Sequence, residues 1–109
     1  MRSENAYRND ARAKVTGRAT YADDISFSGM LHAVPVYADY VAAKDVRIDT
    51  GAALKAPGVV RVITAADVPG SAVFGQIERD YPMFIKDRIR SWGDVCALVV
   101  AQTREQAKA

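Results

Sequence analysis

The chain has 109 residues, 50% of them apolar and 26% charged. That length supports one domain with one core, and the balance excludes a disordered or collagen-like polymer. Fifteen Lys and Arg stand against thirteen Asp and Glu, a formal charge of +2 with both signs scattered, which excludes the basic footprint of a nucleic-acid binder.

No window approaches the roughly twenty apolar residues needed to span a bilayer. Residues 1–10 lack the apolar core of a signal peptide. The single cysteine, Cys96, has no partner for a disulfide or a zinc site, and cytoplasmic residence fits that best.

Residues 1–24 are polar, with a local basic bias in which Arg2, Arg8, Arg12, Lys14 and Arg18 outnumber Glu4 and Asp10. They read as an extended, partly mobile lead-in that turns at Thr16-Gly17, and a solvated arm is the plain meaning of the charge bias. From Met30 to Tyr37 the sequence turns apolar, β-branched and aromatic after the turn signal Ser28-Gly29, which predicts a strand. Pro35 has no N–H for a ladder, so this strand belongs at an edge or carries a bulge.

Asp45 to Asp49 alternates charged and apolar residues, predicting a strand whose inner face is Val46 and Ile48. Asp49 or Thr50 then caps a short helix through Lys55, ended by Pro57-Gly58. Val59 to Ile63 is a strongly β-branched strand, and Thr64-Ala65-Ala66-Asp67 has a capping-box pattern for one turn halted by Pro69-Gly70. Ser71 to Asp87 reads as an exposed connection. Arg88 to Trp92 alternates again, Gly93-Asp94 marks a turn, and Cys96 to Ala101 is an apolar strand, so the pair is expected as a hairpin or bulged neighbours.

Thr103-Arg104-Glu105-Gln106 matches the capping box that opens a helix, yet only three residues follow. An isolated helix needs on the order of twelve residues. The expectation is a single α+β domain over residues 25–109, truncated at a helix start near 103.

The search for chemistry returns mostly absences. One histidine, His32, rules out a two-histidine metal site, and no Cys-x-x-Cys exists. His32 is read as a packed or half-exposed strand residue and Cys96 as core, since a nucleophilic thiolate needs an electropositive, accessible setting. Asp23-Asp24 and the Glu78-Arg79-Asp80 stretch are read as surface charges, because paired acid/base carboxylates need a controlled separation in a cleft. There is no Gly-x-Gly-x-x-Gly and no P-loop, so nucleotide binding has no support. The aromatics are mainly packing groups. Trp92 differs: it alternates with Arg88 and Arg90 opposite Ile89 and is read as exposed until a partner covers it.

Lys14 to Ile25, followed by Gly29-Met30-Leu31-His32-Ala33, resembles the opening of the molybdenum-binding large subunit of xanthine dehydrogenases and aldehyde oxidases. The resemblance runs on through Ile48-Asp49-Thr50, Ala53-Leu54, Pro57-Gly58-Val59 and Thr64 to Gly70. Phe74-Gly75, Tyr81-Pro82, Asp87 to Arg90, Gly93 and Ala97 to Ala101 leading into Thr103-Arg104-Glu105 complete it, collinear over residues 10–109.

What the resemblance implies is an α/β hammerhead, the N-terminal domain of that subunit, with a small mixed β-sheet and short helices. It implies no catalytic, cofactor-binding or metal residue within this chain, because molybdopterin, the catalytic glutamate and the substrate pocket belong to later domains in the family. The parent enzymes are oxidoreductases that hydroxylate purines, other heterocycles or aldehydes with water as oxygen source. The implied partners are the remaining domains of the molybdenum-binding subunit and the iron–sulfur and FAD subunits or domains, with no nucleic acid and no membrane.

Two places depart from the family pattern. Ala38 to Lys44 stands where relatives carry a histidine-bearing Ser-Pro-His-Ala-His-Ala-like stretch, and Asp94 stands where Gln or Glu followed by Pro is common. The alternative from another class is a free-standing protein-interaction module of the same fold. Several hundred further codons continuing the helix at Thr103 favour the enzyme, and a stop codon after Ala109 favours the module.

Overall fold

The computed structural model describes residues 8–109; the readings placed on Arg2, Glu4 and Tyr7 lie outside them. Helix α1 (Ala11–Val15) corrects the expectation that this whole lead-in is extended. The Asp10 carboxylate at its start takes Lys14 Nζ at 2.7 Å and Arg8 Nη2 at 3.1 Å, so the basic residues hold a short helix rather than a bare arm. A turn of 3₁₀ helix follows at Ala22–Asp24, where the Asp24 carboxylate accepts the Tyr21 N–H.

Strand β1 (His32–Tyr37) pairs with β7 (Val95–Ala101), and β7 pairs on its other side with β3 (Val59–Ile63). All pairings are antiparallel and the order is β1-β7-β3. Pro35 sits on an edge strand, as its missing N–H requires, and the ladder is irregular between Val36 and Tyr37. The other edge is irregular at Val60, between Val59 and Arg61. Both edges of the sheet are thereby blunted against further pairing.

β7 is central because it is apolar on both faces. Ala97, Val99 and Ala101 face one core with Val62 and with Ala107 of helix α3 (Arg104–Lys108). Helix α2 (Gly51–Lys55) lends Ala53 to the same core. Cys96, on the other face of β7, packs against a second core of Ala38, Ile85 and Ile89.

The second core lies over two short ribbons, β2 (Ala43–Lys44) with β6 (Arg88–Ile89) and β4 (Val73–Phe74) with β5 (Tyr81–Pro82). Here the structure corrects three expectations. Val46 and Ile48 do pack against the second core, but Asp45 to Asp49 is not a strand. Asp45 takes a φ of 56°, which turns the chain out of the ladder, and the Val46 N–H keeps one bond to the Asp87 carbonyl at 3.0 Å.

β6 pairs with β2 rather than folding back on β7, because the turn between them carries the chain from one sheet to another. Ser71 to Asp87 is not wholly an exposed connection. It holds the β4–β5 hairpin, with Phe74 and Tyr81 rings edge to face at 5.2 Å, and it delivers Ile85, only 2% exposed, to the second core.

Helix ends follow local chemistry. At α2 the Asp49 carboxylate accepts the Gly51 N–H at 2.8 Å, whereas Thr50 makes no side-chain cap. The Asp67 carboxylate accepts the Thr64 N–H at 2.8 Å and binds Arg61 Nη2 at 3.0 Å, fixing the 3₁₀ turn Ala65–Asp67 to the end of β3. At α3 the reciprocal box forms: the Gln106 N–H donates to Thr103 Oγ1 at 3.2 Å and the Thr103 N–H donates to Gln106 Oε1 at 3.1 Å. Too short to stand alone, α3 persists by seating Ala107 in the first core.

Candidate interaction surface

The candidate catalytic residues of the sequence do not assemble into a reacting set. His32 opens β1 and lines a depression of about 310 Å³ with Asp23, Arg104 and Lys108, so two sequence candidates do meet. No hydrogen bond joins them, and no Ser, Thr or Cys lines the depression to serve as a nucleophile. Glu78 and Asp80 lie in the exposed connection between β4 and β5.

Burial pushes the Cys96 thiol up, with the Asp39 and Asp94 carboxylates adding to it. That is the reverse of what activates a thiolate. Among the described residues no group of three or more His, Cys, Asp or Glu converges as a metal site.

Chemistry of another kind is displayed on the surface. Among the described residues no large side chain is fully buried, and of the eight buried hydrophobic residues four are Ala38, Ala97, Ala101 and Ala107. The large apolar side chains stand outside instead. Phe27 is 69% exposed, Tyr40 69%, Val41 76% and Trp92 75%. A lone exposed apolar residue needs no explanation, whereas a contiguous group of them is the usual mark of an interaction site.

Two neighbouring connections carry several of them. The β1–β2 connection and the β6–β7 turn are tied to each other: the Ala38 N–H donates to the Asp94 carbonyl at 2.8 Å and the Gly93 N–H donates to the Ala38 carbonyl at 3.2 Å. Tyr37, Tyr40, Val41 and Trp92, all exposed, lie on or beside these two segments. These two segments are held by Asp94, the buried charge that the sequence marked as a turn residue and as a departure from the family pattern. Its Oδ2 accepts the N–H groups of Arg90 at 2.7 Å and Ser91 at 3.2 Å, and its Oδ1 accepts the Ser91 hydroxyl at 2.8 Å. The Arg90 N–H foremost, then Ser91, holds this carboxyl below the usual carboxylate range against the opposing effect of burial.

Exposure of Trp92, expected from its alternation with Arg88 and Arg90, is borne out, as is burial of Ile89 opposite. The sequence did not reveal that Lys44 lies directly across from Arg88, since a two-residue pairing leaves no periodic trace. Lys44, Arg88 and Arg90 line a groove of about 560 Å³ with Ala42, Ala43 and Ile89.

The chain is 43% identical over 102 residues to a probable xanthine dehydrogenase subunit of Bacillus subtilis, covering 94% of this chain and 14% of that protein. It is 36% identical over 100 residues to the nicotinate dehydrogenase large molybdopterin subunit of Eubacterium barkeri, covering 92% of this chain and 24% of that one. Among solved structures it superposes on the aldehyde oxidoreductase of Desulfovibrio gigas with a TM-score of 0.85 at 34% identity, covering 93% of this chain and 12% of that chain.

The chain thus spans less than a quarter of the length of each of these proteins. Residues 16–109 match the family described as aldehyde oxidase and xanthine dehydrogenase, a/b hammerhead domain. This chain belongs to that family.

Proposed function

We propose that the chain serves as the α/β hammerhead domain of a larger molybdenum hydroxylase of the xanthine dehydrogenase type, and that its own contribution is architectural. In this reading residues 25–109 form the domain, preceded by the lead-in of residues 1–24. Catalytic, cofactor-binding and metal residues lie elsewhere in the parent. The observation that carries it is the pairing of a small, alanine-rich core with a display of exposed large apolar side chains. Such a surface is stable when neighbouring domains cover it.

The parent's activity in this reading is hydroxylation of a purine, another heterocycle or an aldehyde with oxygen from water. Molybdopterin in the parent subunit would supply the redox chemistry, and iron–sulfur and FAD domains or subunits would take the electrons onward. The residues here do not fit molybdopterin. Five of the glycines occupy separate turns with positive φ rather than one cradle for its phosphate, and no step is derived through it. Cytoplasmic residence accords with the lone cysteine, and no described helix is long and apolar enough to cross a membrane.

The experiment is to purify the 109-residue chain and, separately, the product of the complete gene that encodes it. The chain alone should contain no stoichiometric molybdenum and turn over neither purine nor aldehyde. The complete product should do both. Molybdenum bound to the chain, or turnover by it, would overturn the architectural reading.

A further inference from the structure

The ribbon β2–β6 contains an electrostatic conflict. Lys44 and Arg88 are direct cross-strand partners, an arrangement that disfavours pairing because like charges face each other. Arg90 follows two residues on, and Lys86 precedes by two, so three cations recur at alternate positions while Ile85 and Ile89, at positions of the opposite parity, are buried. Among the described residues the ion pairs are Arg8 and Lys14 with Asp10, and Arg61 with Asp67; none engages this set.

The groove of Lys44, Arg88 and Arg90 is also lined by Ala42, which is exposed, and by Ala43 and Ile89. Trp92, 75% exposed, stands two residues beyond Arg90 in the turn that leads to β7. Four cations beside a tryptophan, on a chain whose total charge is only +2, form a local feature.

From this geometry we infer that the β2–β6 face is a docking groove for an acidic, partly apolar segment of another polypeptide. The carboxylates of that segment would sit between Lys44 and Arg88, and an aliphatic side chain would lie against the exposed Ala42. Charge complementarity selects the occupant. An anion between Lys44 and Arg88 converts the cross-strand repulsion into two attractive contacts.

A nucleic acid fits less well: the cationic run is one short stripe, interrupted by Asp87, with Asp45 next to Lys44, and a phosphate backbone requires a longer basic track. Arg and Trp together are the side chains that dominate protein–protein contacts. The inference deepens the architectural reading by naming the chemistry of one covered face, and it rests on that reading for the source of the segment.

Trp92 is the sole tryptophan, so its fluorescence reports on the groove. The folded chain, verified by a cooperative melt, is titrated with a short glutamate–leucine peptide, its lysine–leucine counterpart, inorganic phosphate and a short single-stranded oligonucleotide. The glutamate–leucine peptide should shift Trp92 emission, binding at least about tenfold tighter than the other three and weakening as salt rises.

The double variant Arg88→Gln with Arg90→Gln should lose about tenfold in affinity. Lys44→Gln should weaken binding while raising the melting midpoint, a combination that damage to the fold does not produce. Reversal of both arginines to glutamate should transfer the preference to the lysine–leucine peptide.

No binding of the acidic peptide overturns the inference, as does equal binding of the basic peptide or an affinity unchanged in the double variant. Phosphate competing at equal concentration reduces the groove to a simple anion site and overturns it too, and so does tighter binding of the oligonucleotide. None of these outcomes depends on molybdenum content or turnover, so failure here is distinct from failure of the parent assignment.

Discussion

Asp94 carries more of the local order than any other single side chain in the β1–β2 and β6–β7 connections. Three donors converge on its carboxylate, and its backbone carbonyl anchors Ala38, so one residue holds two connections together. Replacing it with Ala leaves the Arg90 and Ser91 N–H groups without their acceptor, and the expected cost is about 2 kcal/mol in chemical denaturation. Asn keeps one acceptor oxygen and should cost about half that.

The pH dependence has a definite sign. The folded carboxyl titrates below its ordinary value, so its contribution is complete above that ordinary range and is lost as pH falls through the lowered folded value. The wild-type chain should therefore lose stability on acidification more steeply than Asp94→Asn. Parallel acid limbs would show that the carboxylate's charge contributes nothing.

Gly58 is a second such residue. Its φ is 81°, and a Cβ there would fall on the side chain of Gln106, the residue that caps α3. Gly58→Ala should cost about 2 kcal/mol in the same measurement, from left-handed strain and loss of the cap.

Elements differ in how openly the sequence declares them. β3 was legible because five residues include four β-branched side chains, and α3 because its capping box is written out in Thr103 and Gln106. The helix over Gly51–Lys55 was legible through its Asp49 start and Pro57 stop. β2 was not, because it is two residues long and exists through its partner; β6 lay within the alternation of Arg88 to Trp92, but its partner is β2 rather than the expected β7.

Ile85 was lost among the turn signals of Tyr81-Pro82, yet it anchors the second core. The candidate surface was half legible. Alternation gave exposed Trp92 beside Arg88 and Arg90, but the approach of Lys44 depends on a non-local register, and Asp94 looked like an ordinary turn residue. For α3 the expectation concerns docking: Ala107, 6% exposed, shares the first core with Ala101 and Val99. Ala107→Asp buries a carboxylate there and should cost about 2 kcal/mol. Hydrogen exchange should show the amides of Gln106, Ala107 and Ala109 losing protection while β3 keeps its own; unchanged protection in α3 would show that the helix does not depend on this contact.

Across the whole molecule, surface outweighs interior. The accessible area is 9388 Å², whereas a compact monomer of 11.8 kDa exposes about 5,900 Å². The radius of gyration is 20.1 Å over extents of 66 × 39 × 27 Å, against about 13 Å for a globular domain of this length. Two small cores of alanine, valine and isoleucine joined through β7, with aromatic side chains on the outside, give a body without a deep interior.

The gain from covering such a surface scales with apolar area, at about 25 cal/mol per Å². A few hundred Å² of contact is therefore comparable to the whole stability of a small domain. The isolated chain should accordingly bind an apolar fluorescent dye at neutral pH and self-associate as its concentration rises, with both effects reduced when Phe27, Tyr40 and Trp92 are replaced by Ser. The same substitutions should change the chain's own melting midpoint little, because none of the three side chains is buried. A monomer that stays compact near 13 Å by small-angle scattering and binds no dye would mean that the exposed side chains fold back onto the chain itself, and the case for a surface built to be covered by other domains would fall with it.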